Sequence, residues 1–397
     1  MTEHENKNAT TDIDSLELLK LNPHAVEKVW GGSFLGEYDS GISNLSNTQG
    51  TENTQNSQNI QNIQNIQNLH NIHKSGLPIG ERWELADLAE GSCYYKEMPI
   101  SKFIETNFLN NVLPNPRYNF WGEGEACPYI IKYIDAARNL SVQVHPTEKY
   151  LELTNCDKYA HLRAKSECWL ILSVDESKSD RGDGGIPGVY LGLRPGVTSD
   201  DMLFALENPK QVAPDYLLNF YPAEVGDFWV VPAGTVHALG AGILLLEVQQ
   251  SSGITYRLWD WERSDKRELH IKQALQCINF DKKFNQELVK LSQKNIWRPI
   301  YMQMNGDTYV AERKLFEHPE FKVSNYLFRR GDKFIFSLFK RKCRRAVTFI
   351  CLGGRVLITR GARTEECLPF QTVLATFAGE ESITVIASEK SKLVIVE

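Results

Sequence analysis

The chain has 397 residues, of which 42% are hydrophobic and 24% charged, and a formal net charge of −6. That length holds two or three domains with a sizeable core, and the balance is that of an ordinary globular protein. The acidic excess speaks against a nucleic-acid partner, and no apolar run nears the roughly 18 residues of a membrane helix, so no membrane partner is expected.

The first 22 residues read as a polar tail, with one helical turn in "SLELLKL", and they lack the apolar core of a signal peptide. "HAVEKVWGGSFLGE" opens the folded part, with a turn at Gly31-Gly32. Over 41–74 the composition changes to a Gln-Asn-Ile repeat that is too poor in apolar surface to pack, and a disordered insertion is expected. From "GLPIGERWELADL" to about Trp261 short β-runs follow one another: "PYIIKYIDA", "LSVQVHP", "ECWLILSV", "GVYLGL", "DFWVVPAG" and "GILLLEVQ". Helical spacing is confined to "TEKYLELTNCDKYAHLRA", "TSDDMLFALENPKQVAPDYLLNF" and "ELHIKQALQCI". A second set of strands runs from Phe321 to Glu397, and "CLGGRVLI" reads as a hairpin. The expectation is a mainly β chain, with two barrels or jelly rolls in tandem and a short helical portion on the first. The polar tail (1–22) leads into a first barrel over 23–300 that carries the 41–74 insertion, and a second follows over 301–397. "DFWVVPAGTVHAL" and "FQTVLATFAGEES" share an apolar pattern, but the second has no histidine, so any histidine site belongs to the first barrel. The eight cysteines include no C-x-x-C pair; buried free thiols in a reducing cytoplasm account for them.

In "SVQVHP" the side chains of Ser141, Gln143 and His145 fall on one face of a strand, and Val142 and Val144 on the other. Two polar groups two residues apart suit one metal ion, although a strand histidine that is merely hydrogen-bonded gives the same pattern. "PAGTVH" carries Pro232, Gly234 and His237 in the P-x-G-x-x-H pattern of cupin barrels, and "KSECW" places Glu167 at the start of an apolar strand. Gln143, His145, Glu167 and His237 together make a nitrogen and oxygen set fit for Zn²⁺ or another divalent ion.

At these motifs, with "WGG" at 30–32, "GERWEL" at 80–85, "IIKYIDAARNLSVQVHP" at 130–146 and "EVQQSSGITYRLWDW" at 247–261, the sequence resembles the type I mannose-6-phosphate isomerases in their compact bacterial form. The resemblance covers about 23–397 less the insertion, is strong over 126–262 and weak after 300. It implies a tandem cupin with one metal per chain and metal-dependent interconversion of mannose 6-phosphate and fructose 6-phosphate through a cis-enediolate. Carried over by motif, the ligands fall on Gln143, His145, Glu167 and His237, the catalytic groups on Arg257, Lys165 and Glu247, and substrate contacts on Ser141 and Lys132. Within "GERWELAD", Arg82 and Ala86 stand where small hydroxyl residues are commoner in that family.

The chemistry requires a proton moved between neighbouring carbons and negative charge held on an enediolate. Arg257 can hold charge but is a poor base, whereas Glu247 and Lys165 can exchange protons if their surroundings tune them. Glu247 can also serve only to orient a ligand, Lys165 to bind phosphate, Lys132 to emerge at a barrel rim, and Arg257 to pair with Asp260 or Glu262. A non-catalytic sugar-phosphate-binding cupin is the main alternative, and a metal-dependent dioxygenase on the same fold fits the glutamine ligand poorly.

Overall fold

The structure, a computed structural model, describes residues 18–39, 77–108, 127–154, 163–178, 186–264, 267–292, 300–304, 308–337, 346–376 and 382–397. The expected insertion at 41–74 lies outside them. The chain divides into two compact units, one of Pro23–Cys93 with Pro128–Trp297, the other of Met1–Asn22, Tyr94–Cys127 and Arg298–Glu397.

The first unit holds a six-stranded antiparallel sheet in the order Phe228–Val231, Glu167–Val174, Ile243–Gln250, Tyr129–Ala136, Ile79–Leu85 and His24–Glu27. A five-stranded sheet runs Leu218–Pro222, Gly188–Leu193, His237–Leu239, Val142–Val144 and Tyr256–Trp259. Apolar side chains of both sheets, among them Ile134, Trp169, Ile171, Leu191, Leu239 and Leu245, form one core. Val142 and Val144 point the other way and pack with Met202, Ala274 and Cys277. The helices Ser199–Glu207 and Ile271–Cys277 thus cover the outer face of the smaller sheet. Burying such a side chain stabilises by about 1.5–3 kcal/mol, which fixes the alternation: the valines go to the helices, so Gln143 and His145 must face into the barrel.

The second unit is built the same way. A nine-stranded and a four-stranded sheet meet on a core that includes Phe328, Phe349, Leu393 and Ile395 from the larger and Phe334 and Val385 from the smaller. The mainly β class with helices on the first unit is as expected.

Three details differ from the sequence reading. Leu18–Asn22 is not a helical turn in a polar tail but a strand, antiparallel to Thr372–Thr376 in the nine-stranded sheet. Its Leu18, Leu19 and Leu21 are buried, so three leucines in a polar context were enough to make a strand once a partner existed. Together with Tyr94–Tyr95 and Met98–Pro99, it makes the second unit discontinuous in sequence rather than a simple 301–397 block. The turn at Gly353-Gly354 is present, with Gly354 at φ +76, but Ala346–Gly353 and Val356–Arg360 do not pair as a hairpin; they enter different sheets. The stretch expected to be helical to Phe220 ends its α-helix at Glu207, and Leu218–Pro222 is a strand, the chain having passed Pro209 and Pro214.

Arg82 is buried on the face of its strand opposite Glu81 and Trp83. Its guanidinium meets Glu84 at 2.6 Å and lies 4.8 Å and 5.2 Å from the ring centres of Tyr38 and Tyr133. This departure from the family motif is therefore accommodated by charge pairing and ring stacking.

Candidate metal centre and active site

Cross-strand register gathers the polar residues. His237 lies opposite Gln143, and Gln143 opposite Arg257. In the facing sheet Trp169 lies opposite Glu247, Glu247 opposite Lys132, and Lys132 opposite Trp83. His237 reaches its place through the turn Pro232–Thr235, where Gly234 has φ +82 and donates its N–H to the His145 carbonyl at 3.0 Å. A side chain there would be strained, and its Cβ would sit 2.9 Å from Thr147 Cγ2.

His145, Glu167 and His237 are buried with their ligand atoms within 4.8 Å of one another. His145 Nε2 is 3.2 Å from Glu167 Oε2, and His237 Nε2 is 3.3 Å from Glu167 Oε1. His145 Nδ1 lies 3.0 Å from the Ile254 carbonyl and His237 Nδ1 2.8 Å from the Thr235 carbonyl. A carbonyl only accepts, so in each ring Nδ1 carries the proton and Nε2 presents its lone pair to the centre. Burial, reinforced by the charge of Lys165, lowers His145 to about 3, and burial lowers His237 also; both rings are neutral at ordinary pH, the form that binds metal. Burial alone would raise Glu167, but the Lys165 ammonium beside it holds it well below the usual carboxylate range.

Gln143 Nε2 is 3.3 Å from His237 Nε2, and Gln143 Oε1 accepts from Ser141 Oγ at 3.2 Å. Half a turn of the amide presents its oxygen to the same centre. Lys165 Nζ donates to Glu167 Oε2 at 2.7 Å and to His145 Nε2 at 3.0 Å. The donors thus already converge on a cationic group, and two neutral imidazoles, a carboxylate and an amide fit a borderline divalent ion.

The other polar residues line one cavity of about 320 Å³ with Gln143: Lys132, Ser141, Lys165, Glu247 and Arg257 all contribute to its wall, and Lys165 joins it to Glu167 and His145. Trp169 Nε1 donates to Glu247 Oε2 at 3.0 Å, and Lys132 Nζ lies 3.7 Å from Glu247 and 3.8 Å from Glu81. Burial, with the nearby negative charge of Glu167, raises Glu247 to about 7. Burial lowers Lys132, against the pull of Glu81 and Glu247. For Lys165 burial is outweighed by Glu167 and Glu247, and its pKa is raised. Of the two proton carriers left open by sequence, only Glu247 is tuned to titrate near neutrality. Arg257 Nε donates to Ser141 Oγ at 3.3 Å and Nη1 to the Glu268 carbonyl at 2.7 Å. Asp260, the surface partner considered for it, is engaged by Arg263 and Arg267.

Sequence reasoning passed over Glu81, Lys28, Trp169 and Arg267, which also line the cavity. Lys28 meets Glu81 at 2.9 Å, and Trp83 Nε1 donates to Glu81 at 2.7 Å while Lys132 Nζ sits 4.8 Å from the Trp83 ring centre. Burial would raise Glu81, but Lys28 and Lys132 bring it down to about 2. A signal for it existed: Glu81 and Trp83 alternate with Arg82 just as Gln143 and His145 alternate with Val144.

No family model matches the chain. It is similar to the mannose-6-phosphate isomerase ManA of Bacillus subtilis (strain 168), 37% identical over 160 residues, 39% of this chain and 45% of that protein. It is also similar to the mannose-6-phosphate isomerase of Streptococcus mutans, 36% identical over 162 residues, 40% of this chain and 46% of the relative. The chain thus spans about half the length of the curated relatives it matches. Among solved structures, the mannose 6-phosphate isomerase from Bacillus subtilis matches with a TM-score of 0.66 at 19% identity, over 96% of this chain and 99% of that one. A phosphomannose isomerase from Salmonella typhimurium matches with a TM-score of 0.59 at 15% identity over 96% and 99%. These likenesses establish the fold: a mostly β architecture shared along nearly the whole chain.

Proposed function

We propose that the protein is a metal-dependent mannose-6-phosphate isomerase that interconverts mannose 6-phosphate and fructose 6-phosphate, with one divalent ion, Zn²⁺ by donor chemistry, held by Gln143, His145, Glu167 and His237. The observation that carries the reading is one cavity bordered by Gln143 and by Glu247, a carboxyl tuned to about 7, with Lys165 on the same wall bonded to Glu167 and His145 of the donor set. The similarity to curated isomerases supports the same substrate pair.

A bound ion would supply Lewis acidity to the oxygens on C1 and C2 of the sugar. Glu247, as carboxylate, takes the proton from C2 of the open aldose; the C2 hydroxyl proton passes to the C1 oxygen, and the carboxyl so formed returns its proton to C1, giving the ketose. Lys165 stays protonated and, with Lys132 and Arg257, holds the negative charge that develops on the enediolate oxygens. Ser141 ties Arg257 to the Gln143 amide and keeps both aimed at the cavity. Glu81, ionised throughout, keeps Lys132 and Lys28 in place. The free, buried cysteines among the described residues, such as Cys93, Cys168 and Cys277, support a reducing cytoplasmic setting. No described helix is long and apolar enough to cross a membrane.

A coupled assay for conversion of mannose 6-phosphate to fructose 6-phosphate, with and without chelator, tests the proposal. Turnover lost to chelator and restored by metal is expected; binding without turnover would favour a sugar-phosphate sensor on the same fold. Arg257→Lys should lower kcat by roughly ten-fold or more, by analogy with loss of one oxyanion donor, because an ammonium cannot serve Ser141 and the Glu268 carbonyl together. Metal content should be unchanged. Steady-state kinetics with kcat at the wild-type level would remove Arg257 from the mechanism.

A further inference from the structure

We propose that Ser166, Gln249 and Gln250 are positioning residues that brace the metal donors from behind, locking the separate donor segments into one hydrogen-bonded circuit. The inference rests on the metal reading above and adds residues that touch neither ion nor substrate.

Four stretches of chain bring the donors together: 143–146, 165–167, 232–237 and the loop 250–254 whose Ile254 carbonyl orients His145. Ser166 stands between Lys165 and the ligand Glu167. Its N–H donates to Gln250 Oε1 at 2.8 Å and its carbonyl accepts from Gln250 N at 3.0 Å. Its hydroxyl accepts from Ala233 N at 3.1 Å, inside the turn that delivers His237. The next residue of that turn, Gly234, donates to the His145 carbonyl, and Lys165 N donates to the Pro146 carbonyl at 3.3 Å. The circuit therefore closes: 145–146 to 165–166, 166 to 233, and 234 back to 145. Gln249 fastens the fourth stretch, with Nε2 donating to the carbonyls of Gln250 at 3.0 Å and Ser252 at 2.8 Å.

Gln249 and Gln250 are 0% and 2% exposed at the end of a strand that is otherwise apolar outside the site. A buried amide is costly unless matched, and a leucine would serve packing better. Here Gln250 Oε1 is met by the Ser166 N–H and Gln249 Nε2 by two carbonyls, all in the segments that must not move, although Gln249 Oε1 stays unmatched among the described residues. Outer hydrogen-bond partners of metal ligands typically change affinity ten- to hundred-fold when lost, and this brace acts on three of the four donor stretches through one serine.

The test uses the full chain, stripped of metal and reloaded with Co²⁺, in the wild type and in Ser166→Ala, Ser166→Thr and Gln250→Leu. Co²⁺ is titrated away with a competing chelator, the visible absorption of the bound ion is recorded, and the melting temperature of the metal-free protein is measured. Ser166→Ala and Gln250→Leu should lose Co²⁺ affinity by roughly ten-fold or more with an altered spectrum. Ser166→Thr, which keeps the hydroxyl, should stay near wild type, and metal-free melting temperatures should remain within about 4 °C. Wild-type affinity and spectrum in both Ser166→Ala and Gln250→Leu would overturn the brace while leaving the metal centre standing. Affinity that falls only in step with metal-free stability, without rescue by threonine, would reduce these residues to general fold support and also overturn it. A wild-type chain that takes up no Co²⁺ would overturn the metal reading and the brace together.

Discussion

Replacing His237 by alanine should remove the proposed metal and the proposed isomerase activity together. His237 is fully buried, with Nδ1 committed to the Thr235 carbonyl and Nε2 3.3 Å from Glu167. The hydrogen bond on the far side leaves this ring one role toward the centre, that of a neutral donor. Its removal leaves two oxygen donors and one imidazole, short of what a borderline ion prefers. Metal content should fall from about one ion per chain to near zero. Loss of the several kcal/mol that a Lewis acid contributes should lower kcat/KM by about 10³ or more. Elemental analysis of the purified variant beside the coupled assay checks both. Full metal content would show that the ion, if present, is held elsewhere.

Glu247→Gln should be comparably damaging and leave the metal in place. The amide keeps the size of the carboxyl and can still meet Trp169, but it cannot accept a proton from carbon. Loss of a general base typically costs 10²–10⁴ in kcat. With Glu247 raised to about 7, the wild-type rate should climb with pH through neutrality as the carboxylate form appears, and the residual rate of the variant should lack that limb. The same group makes a thermodynamic signature in metal-free protein. Its folded pKa lies above the ordinary 4.5, so the native state holds the proton more tightly. That contribution to stability is complete below about 4.5 and lost as pH rises to about 7. Glutamine has no proton to lose, so the melting temperature of the wild type should fall relative to the variant between pH 5 and pH 8. A wild-type profile flat through neutrality, or a variant with intact kcat, would assign the proton transfer to another group.

The grouping of His145, Glu167 and His237 was legible because each sits in a short local pattern. Gln143 and His145 share a two-residue period whose other face is valine, and His237 follows a Pro-Gly turn whose backbone requirement is visible in the letters. The mostly β class was legible from runs of branched and aromatic residues. What was not legible depends on register between distant strands. Glu81 lies opposite Ile134, two pairs from Trp83 and Lys132, and only that pairing brings a strand glutamate to the buried Lys132 as well as to Lys28. Arg257 lies opposite Gln143 for the same reason; the resemblance pointed to the residue but not to what its guanidinium holds. The double glycine at 353–354 announced a turn, but which sheet each flanking strand joins is decided by the cores they enter. Leu18–Asn22 failed in the same way, since five residues in a polar neighbourhood are a strand only if an edge elsewhere receives them.

That strand has a consequence for synthesis. Leu18 lies in register with Ala375, and Lys20 with Val373. On a ribosome adding about 5–20 residues per second, Leu18–Asn22 emerges among the first residues described; Tyr94–Tyr95 can meet its Leu21 and Asn22 early, but the side that pairs with Thr372–Thr376 must wait until that distant strand has been made. The first unit can complete itself in the interval, because its strands lie between His24 and Trp259. The second unit closes last and draws in the two ends together. A fragment beginning at residue 23 would therefore lose no part of the cavity wall, yet leave Thr372–Thr376 without its neighbour on one side. It should show its defect as aggregation along that open edge before any loss of catalysis.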